Sequence, residues 1–424
     1  MLDIKFIKEN KDLVALAAKK KRINFNVEDL IAVEADRVAI GQQVEELRSK
    51  QNKASEDIMG ATPELKEQII RTMTDLKSEL KNKEEKLSET MKKWRELMLQ
   101  VPNIPDMSVP EGNSDEDNVE IRKWGDVKEF DFTPKDHIEI MELANMVDFE
   151  RGTKTAGFRG YFLKNDAALL EMAVWQYAMD RWSKKGFTPM LVPSLVRKEA
   201  LVGTGYLPQG EEDLYSDGNE YFAGTGEVST MYYHSDEVLD NLDNPLKYIV
   251  WSPCFRKEAG SHGKDVKGLV RVHEFYKVEQ VVLCRASHEE SVRLHEEITR
   301  NSEEMMEELG LPYHTVINCT GDLGQGQVKK YDIEVWMPSQ NKYRETHSAS
   351  YFHDYQARRL NIRYRDNDGK MKFAHSLNNT AAATPRLITA IIENYQNSDG
   401  TVTIPEVLVP YMQGKTVMGK NGQK

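Results

Sequence analysis

The sequence predicts an α+β protein in which an antiparallel β-sheet is flanked by helices and is preceded by an N-terminal antiparallel α-helical coiled-coil arm. Two apolar stripes with 3,4 spacing between residues 27 and 101 predict the arm. From about residue 119, strands and helices follow one another without a βαβ rhythm. The absence of G-x-G-x-x-G and G-x-x-x-x-G-K-[ST] argues against Rossmann and P-loop nucleotide binding.

Each helix of the arm is predicted from its own stripe. The first stripe consists of Leu30, Val33, Ile40, Val44, Leu47, Ala54 and Ile58, with Arg37 and Gln51 in the gaps. The second consists of Ile69, Met73, Leu76, Leu80, Leu87, Met91, Trp94, Met98 and Val101, interrupted by Lys83. Between them, Thr62 is the predicted cap of the return helix and Pro63 its first residue. About 30 residues at 1.5 Å each give an arm of about 45 Å.

The role of the arm stays open at this level. A heptad stripe normally reports a partner helix, so a dimerisation or spacer coiled coil is the expected reading. The first 28 residues nevertheless carry 7 basic and 4 acidic residues, including Lys19–Arg22. The arm lysines are candidates either for phosphate contacts or for a solvated surface: Lys50, Lys53, Lys77 and Lys81.

Composition predicts a chain of more than one domain. Residues 102–118, rich in Pro, Gly and Asp, are the predicted linker between an N-terminal helical domain at 1–101 and a second domain at 119–424. The end of the chain, 414–424, is predicted to be flexible. With 424 residues and 39% hydrophobic content, the chain suits a soluble two-domain protein.

Charge and cysteine content set further bounds. The net charge of −12 would repel a polyanion, but residues 101–150 hold most of the acidic excess, with 14 acidic and 4 basic residues. No apolar run approaches the roughly 20 residues that span a bilayer, and no secretory signal is evident. Cys254, Cys284 and Cys319 form no C-x-x-C pair, so we expect free thiols, no zinc and a cytoplasmic location.

The densest group of chemically useful side chains falls on a predicted strand–loop–strand. The β-forming runs Tyr248–Trp251 and Val278–Cys284 predict the strands, and Ser261–Val270 the loop. The two-residue period puts these side chains on shared faces: Arg256 with Glu258 on the first arm, and Arg271, His273, Phe275, Lys277 and Glu279 on the second. Solvated ion pairs would explain any one charge alone. Together, guanidinium groups, an aromatic ring and carboxylates suit phosphates, a purine and an amine, which favours ATP and an amino acid as ligands.

Two other segments add to this hairpin. Leu169–Lys185 has helical spacing and is followed by the extended run Gly186–Pro193. Near the C-terminus, Thr384 is predicted to cap a helix that begins at Pro385 and carries Arg386 in its first turn. Unpaired backbone donors and a guanidinium group both favour anions, so this helix start is a candidate polyphosphate site. The alternative is an exposed arginine without a ligand.

These three segments resemble the motifs of class II aminoacyl-tRNA synthetases, and specifically of seryl-tRNA synthetases. Phe255–Gly260 and His273–Glu279 are similar to the second motif, Leu169–Pro193 to the first and Thr384–Tyr395 to the third. The resemblance runs from Met1–Asn10 through Trp336–Gln340 and Asp354–Arg359 to Pro405–Tyr411. It implies a class II catalytic domain at 119–424, a tRNA-binding domain at 1–101, and a homodimer built on the first motif.

The resemblance also implies roles for single residues at the matching positions. Catalysis would depend on Arg256, Arg386 and Glu345. ATP would be bound by Arg256, Glu258, Arg271, Val272, Phe275, Glu345, Ser348 and Arg386, with Mg²⁺ held through ATP by Glu345 and Ser348. L-serine would be bound by Thr225, Glu227, Glu279, Asn378 and Thr380. Hydrogen bonds to a small polar side chain would then penalise alanine, and the size of the pocket would exclude threonine.

The implied reaction has two steps and two kinds of alternative. The serine carboxylate attacks the α-phosphorus of ATP, which yields seryl-adenylate and releases pyrophosphate. The 3′-terminal ribose hydroxyl of serine tRNA, or of selenocysteine tRNA, then attacks the activated carbonyl and releases AMP. The arm would reach the long variable arm of the tRNA, and the loop Ser261–Gly268, with Lys264 and Lys267, would meet the acceptor end or be solvated. The alternatives are a paralogue that loads a carrier protein, which the long arm disfavours, and a noncatalytic tRNA-binding relative, which the intact motif arginines disfavour.

Overall fold

In the computed structural model, which describes residues 1–260, 265 and 267–419, the chain divides into two compact units, with the boundary between Pro102 and Asn103. Residues from Asn103 onward pack within the second unit, where the Asn103 N–H donates to the Gln325 carbonyl at 2.9 Å and that of Asp106 to the Val328 carbonyl at 2.9 Å. The predicted linker is therefore held against the second unit over these residues. The functional division into domains stays a prediction.

The first unit consists of helices, in line with the apolar stripes of the sequence. These are α1 (Ile4–Glu9), α2 (Lys11–Lys20), α3 (Val27–Asp57) and α4 (Pro63–Gln100). As predicted, α4 begins at Pro63, and the Thr62 hydroxyl oxygen accepts from the Leu65 N–H at 3.5 Å. Ile40, Val44 and Leu47 of α3 are buried against Leu80 of α4. The predicted helical hairpin is confirmed.

The second unit mixes helices and strands. Its helices are α5 (His137–Leu143), α6 (Phe149–Ala156), α7 (Asn165–Lys184), α8 (Lys198–Thr204), α9 (Glu227–Tyr233), α10 (His288–Glu308), α11 (Tyr355–Leu360) and α12 (Arg386–Asn394). Its strands are β1 (Val119–Trp124), β2 (Val147–Asp148), β3 (Phe162–Leu163), β4 (Thr188–Leu191), β5 (Leu195–Arg197), β6 (Glu220–Phe222), β7 (Val238–Leu239), β8 (Leu246–Phe255), β9 (Glu274–Cys284), β10 (Tyr313–Ile317), β11 (Lys329–Met337), β12 (Lys342–His353), β13 (Arg363–Arg365), β14 (Met371–Phe373), β15 (His375–Thr384), β16 (Val402–Thr403) and β17 (Val417–Met418).

Eight strands form one large sheet in the order β1-β10-β11-β12-β15-β9-β8-β4. All neighbours in it are antiparallel except the edge strand β4, which runs parallel to β8. The predicted antiparallel sheet is therefore confirmed, with one parallel pair at its edge that the sequence reasoning did not anticipate.

Helices cover the sheet and close its core. The largest core cluster joins side chains of α7, α10 and α12, among them Trp182, Ile298 and Ile388, to Val278 and Val282 of β9. Cys254, Cys284 and Cys319 are buried free thiols, as expected. Over the ranges that the structure describes, we found no helix with the length and apolar content needed to cross a bilayer.

The last described residues are more ordered than the composition predicted. Strand β17 pairs with β16, with Val417 opposite Thr403 and Met418 opposite Val402. The prediction of a flexible end is wrong for these residues, because the two short strands exchange backbone hydrogen bonds. Residues 420–424 of that predicted segment lie outside the described residues.

One close backbone approach in the second unit can be tested by substitution. A Cβ added to Gly152 of α6 would lie 2.4 Å from the Tyr161 Cα and 2.5 Å from the Gly160 carbonyl oxygen. Gly152→Ala should therefore lower the free energy of unfolding by about 1–3 kcal/mol, measured by urea denaturation, because backbone atoms must move apart.

Gly41→Ala is the matched control, since Gly41 also lies within a helix but has nothing within 4 Å of an added Cβ. This control should leave stability unchanged or raise it by up to about 1 kcal/mol, through the better helix propensity of alanine. Equal effects of the two substitutions would contradict the close approach at Gly152.

Candidate active site

A polar cavity of about 900 Å³, counting its open mouth, lies over the central strands β8, β9, β12 and β15 and the start of α12. Twelve of the thirteen predicted site residues line it. They are Thr225, Arg256, Glu258, Arg271, Val272, Phe275, Glu279, Glu345, Ser348, Asn378, Thr380 and Arg386. Side chains distant in sequence thus converge on one cavity, as the resemblance implied.

The β8–β9 pairing places the first group of these side chains. The ladder ends at Phe255 opposite Glu274, and beyond it the Arg256 N–H donates to the His273 carbonyl at 2.9 Å. The Arg256 guanidinium carbon lies 5.4 Å from the centroid of the Phe275 ring, and its Nε and Nη2 donate to the Gly224 carbonyl at 3.3 Å. The Arg256 guanidinium therefore lies over the Phe275 ring at the cavity wall.

Side chains were predicted to alternate between two faces along the second strand of this β-hairpin. This prediction is wrong for its first residues. Strand β9 begins only at Glu274, so Arg271 and Val272 both line the cavity. His273 faces the other way, towards Phe158 and Tyr215, and its Nδ1 lies 3.0 Å from the Arg256 carbonyl oxygen. Side chains alternate strictly only in extended ladder backbone, and these residues precede it.

Charged pairs surround the loop that connects the hairpin. The Arg271 guanidinium contacts the Glu258 carboxylate, and Arg344 contacts Asp265. The ion pair therefore fixes the side chains of Arg271 and Glu258 relative to each other. Of the loop residues predicted to meet tRNA, Lys267 is exposed, whereas Lys264 lies outside the described residues.

Arg386 is the first residue of α12, but the predicted cap is wrong. Thr384 remains in β15, where its hydroxyl donates to Oε1 of Glu171 at 2.5 Å and accepts from Nε1 of Trp175 at 3.1 Å. Pro385 is instead the N-cap residue of α12, and no side-chain hydrogen bond caps the helix. The Arg386 guanidinium donates to the backbone carbonyls of Val270 and Glu345, each at 2.8 Å.

Glu345 and Ser348 of β12 line the cavity together with Arg386. The Glu345 carboxylate is about half exposed and lies 3.6 Å from Arg386 Nη1. Partial loss of hydration works against its ionisation, yet the positive charges of Arg386, Lys330 and Arg256 hold the pKa of Glu345 below its ordinary value. Ser348 stands opposite Asp332, whose pKa is raised to about 6 by burial.

These groups were tested as a metal site. Within the described ranges, no three His, Cys, Asp or Glu side chains are grouped closely enough to hold a metal ion by themselves. Mg²⁺ commonly uses one or two carboxylates together with substrate phosphates. The accessible Glu345 carboxylate fits that second kind of site.

The predicted serine-binding residues form a compact hydrogen-bonded group. The buried Glu279 carboxylate accepts from the Thr225 hydroxyl at 2.6 Å and from the Glu227 N–H at 3.0 Å. Lys277, which the sequence analysis placed on this face without a role, contacts Glu279 Oε1 at 2.9 Å and Thr225 Oγ1 at 2.6 Å. Every one of these side chains is nearly inaccessible to solvent.

Glu227 is the one predicted site residue that does not line the cavity. Its carboxylate lies behind the wall, where it accepts from Gln356 Nε2 at 2.8 Å and from the Tyr206 hydroxyl at 3.1 Å. Burial and the neighbouring charge of Glu279 raise its pKa to about 7. The structure therefore brings the Glu227 backbone, through its N–H, to Glu279 and keeps its side chain away from the cavity.

Asn378 and Thr380 of β15 complete the cavity wall and are both almost fully buried. Across the part of the chain that the structure describes, neither side chain has a hydrogen-bond partner. Sequence reasoning missed several other polar lining residues, which reach the site from separate elements: Tyr206, Gln327, Thr346 and Ser350. No local pattern marks them, although Ser350 shares the β12 face of Ser348 by the two-residue period.

The site thus has two chemically distinct ends. Arg256, Arg271 and Arg386 supply guanidinium groups that suit phosphate oxygens, beside the Phe275 ring. Glu279, Thr225, Asn378 and Thr380 form a small pocket of acceptors and amide groups that suits an ammonium group and a hydroxyl. A reaction between a nucleoside triphosphate and a small amino acid fits both ends.

Comparison with known proteins agrees with this geometry. Residues 214–395 match the model of the tRNA synthetase class II core domain (G, H, P, S and T), and residues 1–105 match that of the seryl-tRNA synthetase N-terminal domain. Over 422 residues the chain is 47% identical to the serine–tRNA ligase of Deinococcus radiodurans, with 99% of each chain covered.

Two solved structures are similar along the whole chain. The seryl-tRNA synthetase of Pyrococcus horikoshii, complexed with ATP, has a TM-score of 0.90 and 39% identity, with 99% of each chain covered. The cytoplasmic serine–tRNA ligase of Naegleria fowleri, in complex with AMP, has a TM-score of 0.85 and 32% identity, covering 99% of this chain and 98% of that one.

The buried carboxyl group of Glu171, which accepts a hydrogen bond from Thr384, makes the stability of the fold depend on pH. Burial raises the pKa of Glu171 to about 7. Between about pH 4.5 and 7 the folded state then binds a proton that the unfolded state has released, so this group's contribution to stability falls as pH rises through that window, by up to about 3 kcal/mol.

Glu171→Gln should remove this dependence while keeping an acceptor for Thr384. We expect the variant to gain stability relative to the wild type between pH 4.5 and 7, and no further gain above, in urea denaturation at a series of pH values. Glu142→Gln, at an exposed position, is the control and should follow the wild-type curve. A stability difference that is constant with pH would refute the assignment.

Proposed function

The chain belongs to the seryl-tRNA synthetase family, and on that premise we propose that it activates L-serine with ATP to seryl-adenylate and transfers the seryl group to the 3′ end of serine tRNA and selenocysteine tRNA. The observation that carries the proposal is that Arg256 and Arg386 line the same cavity as Glu279 and Thr225. Both substrates of the first step can therefore lie in one cavity.

In the proposed activation step, ATP lies along the arginine end. Arg256 would hold the α-phosphate during attack by the serine carboxylate, and Arg386 would hold the γ-phosphate. Phe275 and Arg386 would enclose the adenine, with Glu258 near its amino group and the Val272 and Arg271 region bordering the nucleotide. Catalysis then consists mainly of orientation and of neutralising the charge that develops on phosphorus-bound oxygens.

Glu345 and Ser348 would hold Mg²⁺ through the bound nucleotide. When bound, the ion would neutralise phosphate charge and orient the leaving pyrophosphate. What the chain itself supplies is an accessible carboxylate, which neighbouring positive charges keep ionised.

In the proposed serine pocket, Glu279 and Thr225 would receive the ammonium group, and Asn378 and Thr380 the hydroxyl. The Glu279 carboxylate already accepts three hydrogen bonds, so about one of its four acceptor positions remains. Glu227 would act through its N–H, which fixes Glu279, because its side chain lies behind the wall.

The helical hairpin of the first unit would bind the long variable arm of the tRNA. Lys50, Lys53, Lys77 and Lys81 are exposed on α3 and α4 and are available for phosphates. The basic run Lys19–Arg22 offers fewer accessible positive charges than its sequence suggests, because Lys21 is buried. A cytoplasmic location and the loop contact by Lys267 stay predictions.

We also propose a homodimer built on α7 and β4. Within the described strands, β4 pairs only with β8 and leaves its other edge open. Met172 of α7, Leu191 of β4 and Leu195 of β5 are apolar yet between 45% and 75% exposed. An open strand edge beside exposed apolar side chains favours contact with a second copy.

The first test is Mg²⁺- and ATP-dependent charging of serine tRNA with serine, alanine, glycine and threonine. Of the four amino acids, only serine should be attached to the tRNA. Deletion of the long variable arm of the tRNA should lower this attachment at least about tenfold, because phosphate contacts to the protein helices α3 and α4 are lost. Serine-dependent ATP–pyrophosphate exchange, which needs no tRNA, should be unaffected by that deletion. Exchange without any charging would instead favour carrier loading.

The second test concerns the dimer. Leu191→Asp should shift the mass measured by light scattering from two copies towards one, because it places a charge within the proposed apolar interface. Met107→Asp is the matched control, since Met107 is fully exposed and distant in sequence from α7 and β4. An unchanged mass of Leu191→Asp, or a monomeric wild type, would exclude this interface.

A further inference from the structure

Lys277 is a buried ammonium group at the cavity wall, and no role follows for it from the class II motifs named above. Its side chain is 7% exposed, and it contacts Glu279 Oε1 at 2.9 Å and Thr225 Oγ1 at 2.6 Å. The Thr225 hydroxyl in turn donates to Glu279 Oε2 at 2.6 Å. Three side chains thus form a closed ring of contacts.

The ring fixes the direction of each hydrogen bond. An ammonium group only donates and an ionised carboxylate only accepts, so the Thr225 hydroxyl must accept from Lys277 and donate to Glu279. Thr225 then keeps one lone pair, and Glu279 about one acceptor position, once the bond from the Glu227 N–H is included. Both remaining acceptors belong to residues that line the cavity.

The charges around the ring explain why a lysine is needed there. Glu227 and Glu279 bring two carboxyl groups into a buried region, and a buried carboxylate is stable only when it is paired and hydrogen-bonded. Arg256 is turned to the Gly224 carbonyl, and the Tyr206 hydroxyl is bound to Glu227. Lys277 is therefore the cation that contacts Glu279 within the described residues.

We propose that Lys277 is a positioning residue for amino-acid binding, which orients Glu279 and Thr225 so that each keeps one acceptor for the ammonium group of serine. The proposal rests on the proposed function and extends it. Lys277 acts through its two neighbours and takes no part in the attack on phosphorus. Its loss should therefore weaken serine binding much more than ATP binding.

The test measures ATP–pyrophosphate exchange with the full chain, varying serine and ATP separately. Lys277→Met should raise the KM for serine at least about tenfold, because Glu279 and Thr225 lose the group that orients them. It should leave the KM for ATP within about threefold. Lys247→Met is the matched control, since Lys247 also extends from a central strand and pairs with a glutamate, Glu297. It should leave both KM values unchanged.

Restoring the ammonium group separates positioning from packing. Lys277→Cys, treated with 2-bromoethylamine, regains an ammonium group on a side chain of lysine length. The KM for serine should return to within about threefold of the wild type. The wild type treated in the same way controls for reaction at its three buried cysteines.

The outcomes are distinguishable. An unchanged serine KM in Lys277→Met, or an equal rise of both KM values that the restored ammonium group fails to correct, would overturn the role of Lys277 and leave the proposed function standing. Retained stabilisation of Lys277→Met by ATP in thermal unfolding would show that the variant folds. A wild type without serine-dependent exchange would overturn both proposals.

Discussion

The register between β8 and β9 is the constraint on which the site depends. Cys254 stands opposite Phe275, Ser252 opposite Lys277 and Val250 opposite Glu279. The alternate residues Val278 and Val282 lie in the apolar core beneath the sheet. A slip by one residue would exchange these faces and bury Lys277 and Glu279 among apolar side chains, which is costly for charged groups. The core therefore specifies the register, and the register places the charges.

The way in which its arginines are held makes the proposed nucleotide site compatible with the acidic net charge of the protein. Backbone carbonyls orient Arg256 and Arg386: that of Gly224 for the first, those of Val270 and Glu345 for the second. A carbonyl fixes the plane of a guanidinium group without cancelling its charge, which leaves the charge of Arg256 available to a ligand. Arg386 in addition lies 3.6 Å from the accessible Glu345 carboxylate and shares its charge with that group. The net charge of −12 concerns the whole surface, whereas the interactions in the cavity act over a few ångströms.

Much of the fold and of the site could be predicted, since the signals are local. The apolar stripes predicted the helical hairpin, and the Thr62 cap with Pro63 predicted where its second helix, α4, begins. The strand periods together with the motif resemblance identified twelve residues that line one cavity. The errors arise where distant contacts override local preference. Thr384 resembles a helix cap, but its hydroxyl is taken by Glu171, 213 positions away in the chain. Lys21 reads as part of a basic run, yet it is buried in the packed first unit.

Selectivity in the proposed serine pocket depends on which polar side chains lack a hydrogen-bond partner before serine binds. Glu279 and Thr225 are positioned before any ligand arrives, whereas the side chains of Asn378 and Thr380 are buried and, over the residues described, make no hydrogen bond. A ligand without a hydroxyl would leave such a polar group unsatisfied at a cost of about 1–3 kcal/mol, a factor of roughly 5 to 150 in binding. A preformed acceptor for the ammonium group cannot discriminate between amino acids, because all of them carry that group. In the proposed pocket, discrimination by hydrogen bonding would therefore come from β15, which adjoins β9 with Thr380 directly opposite Glu279.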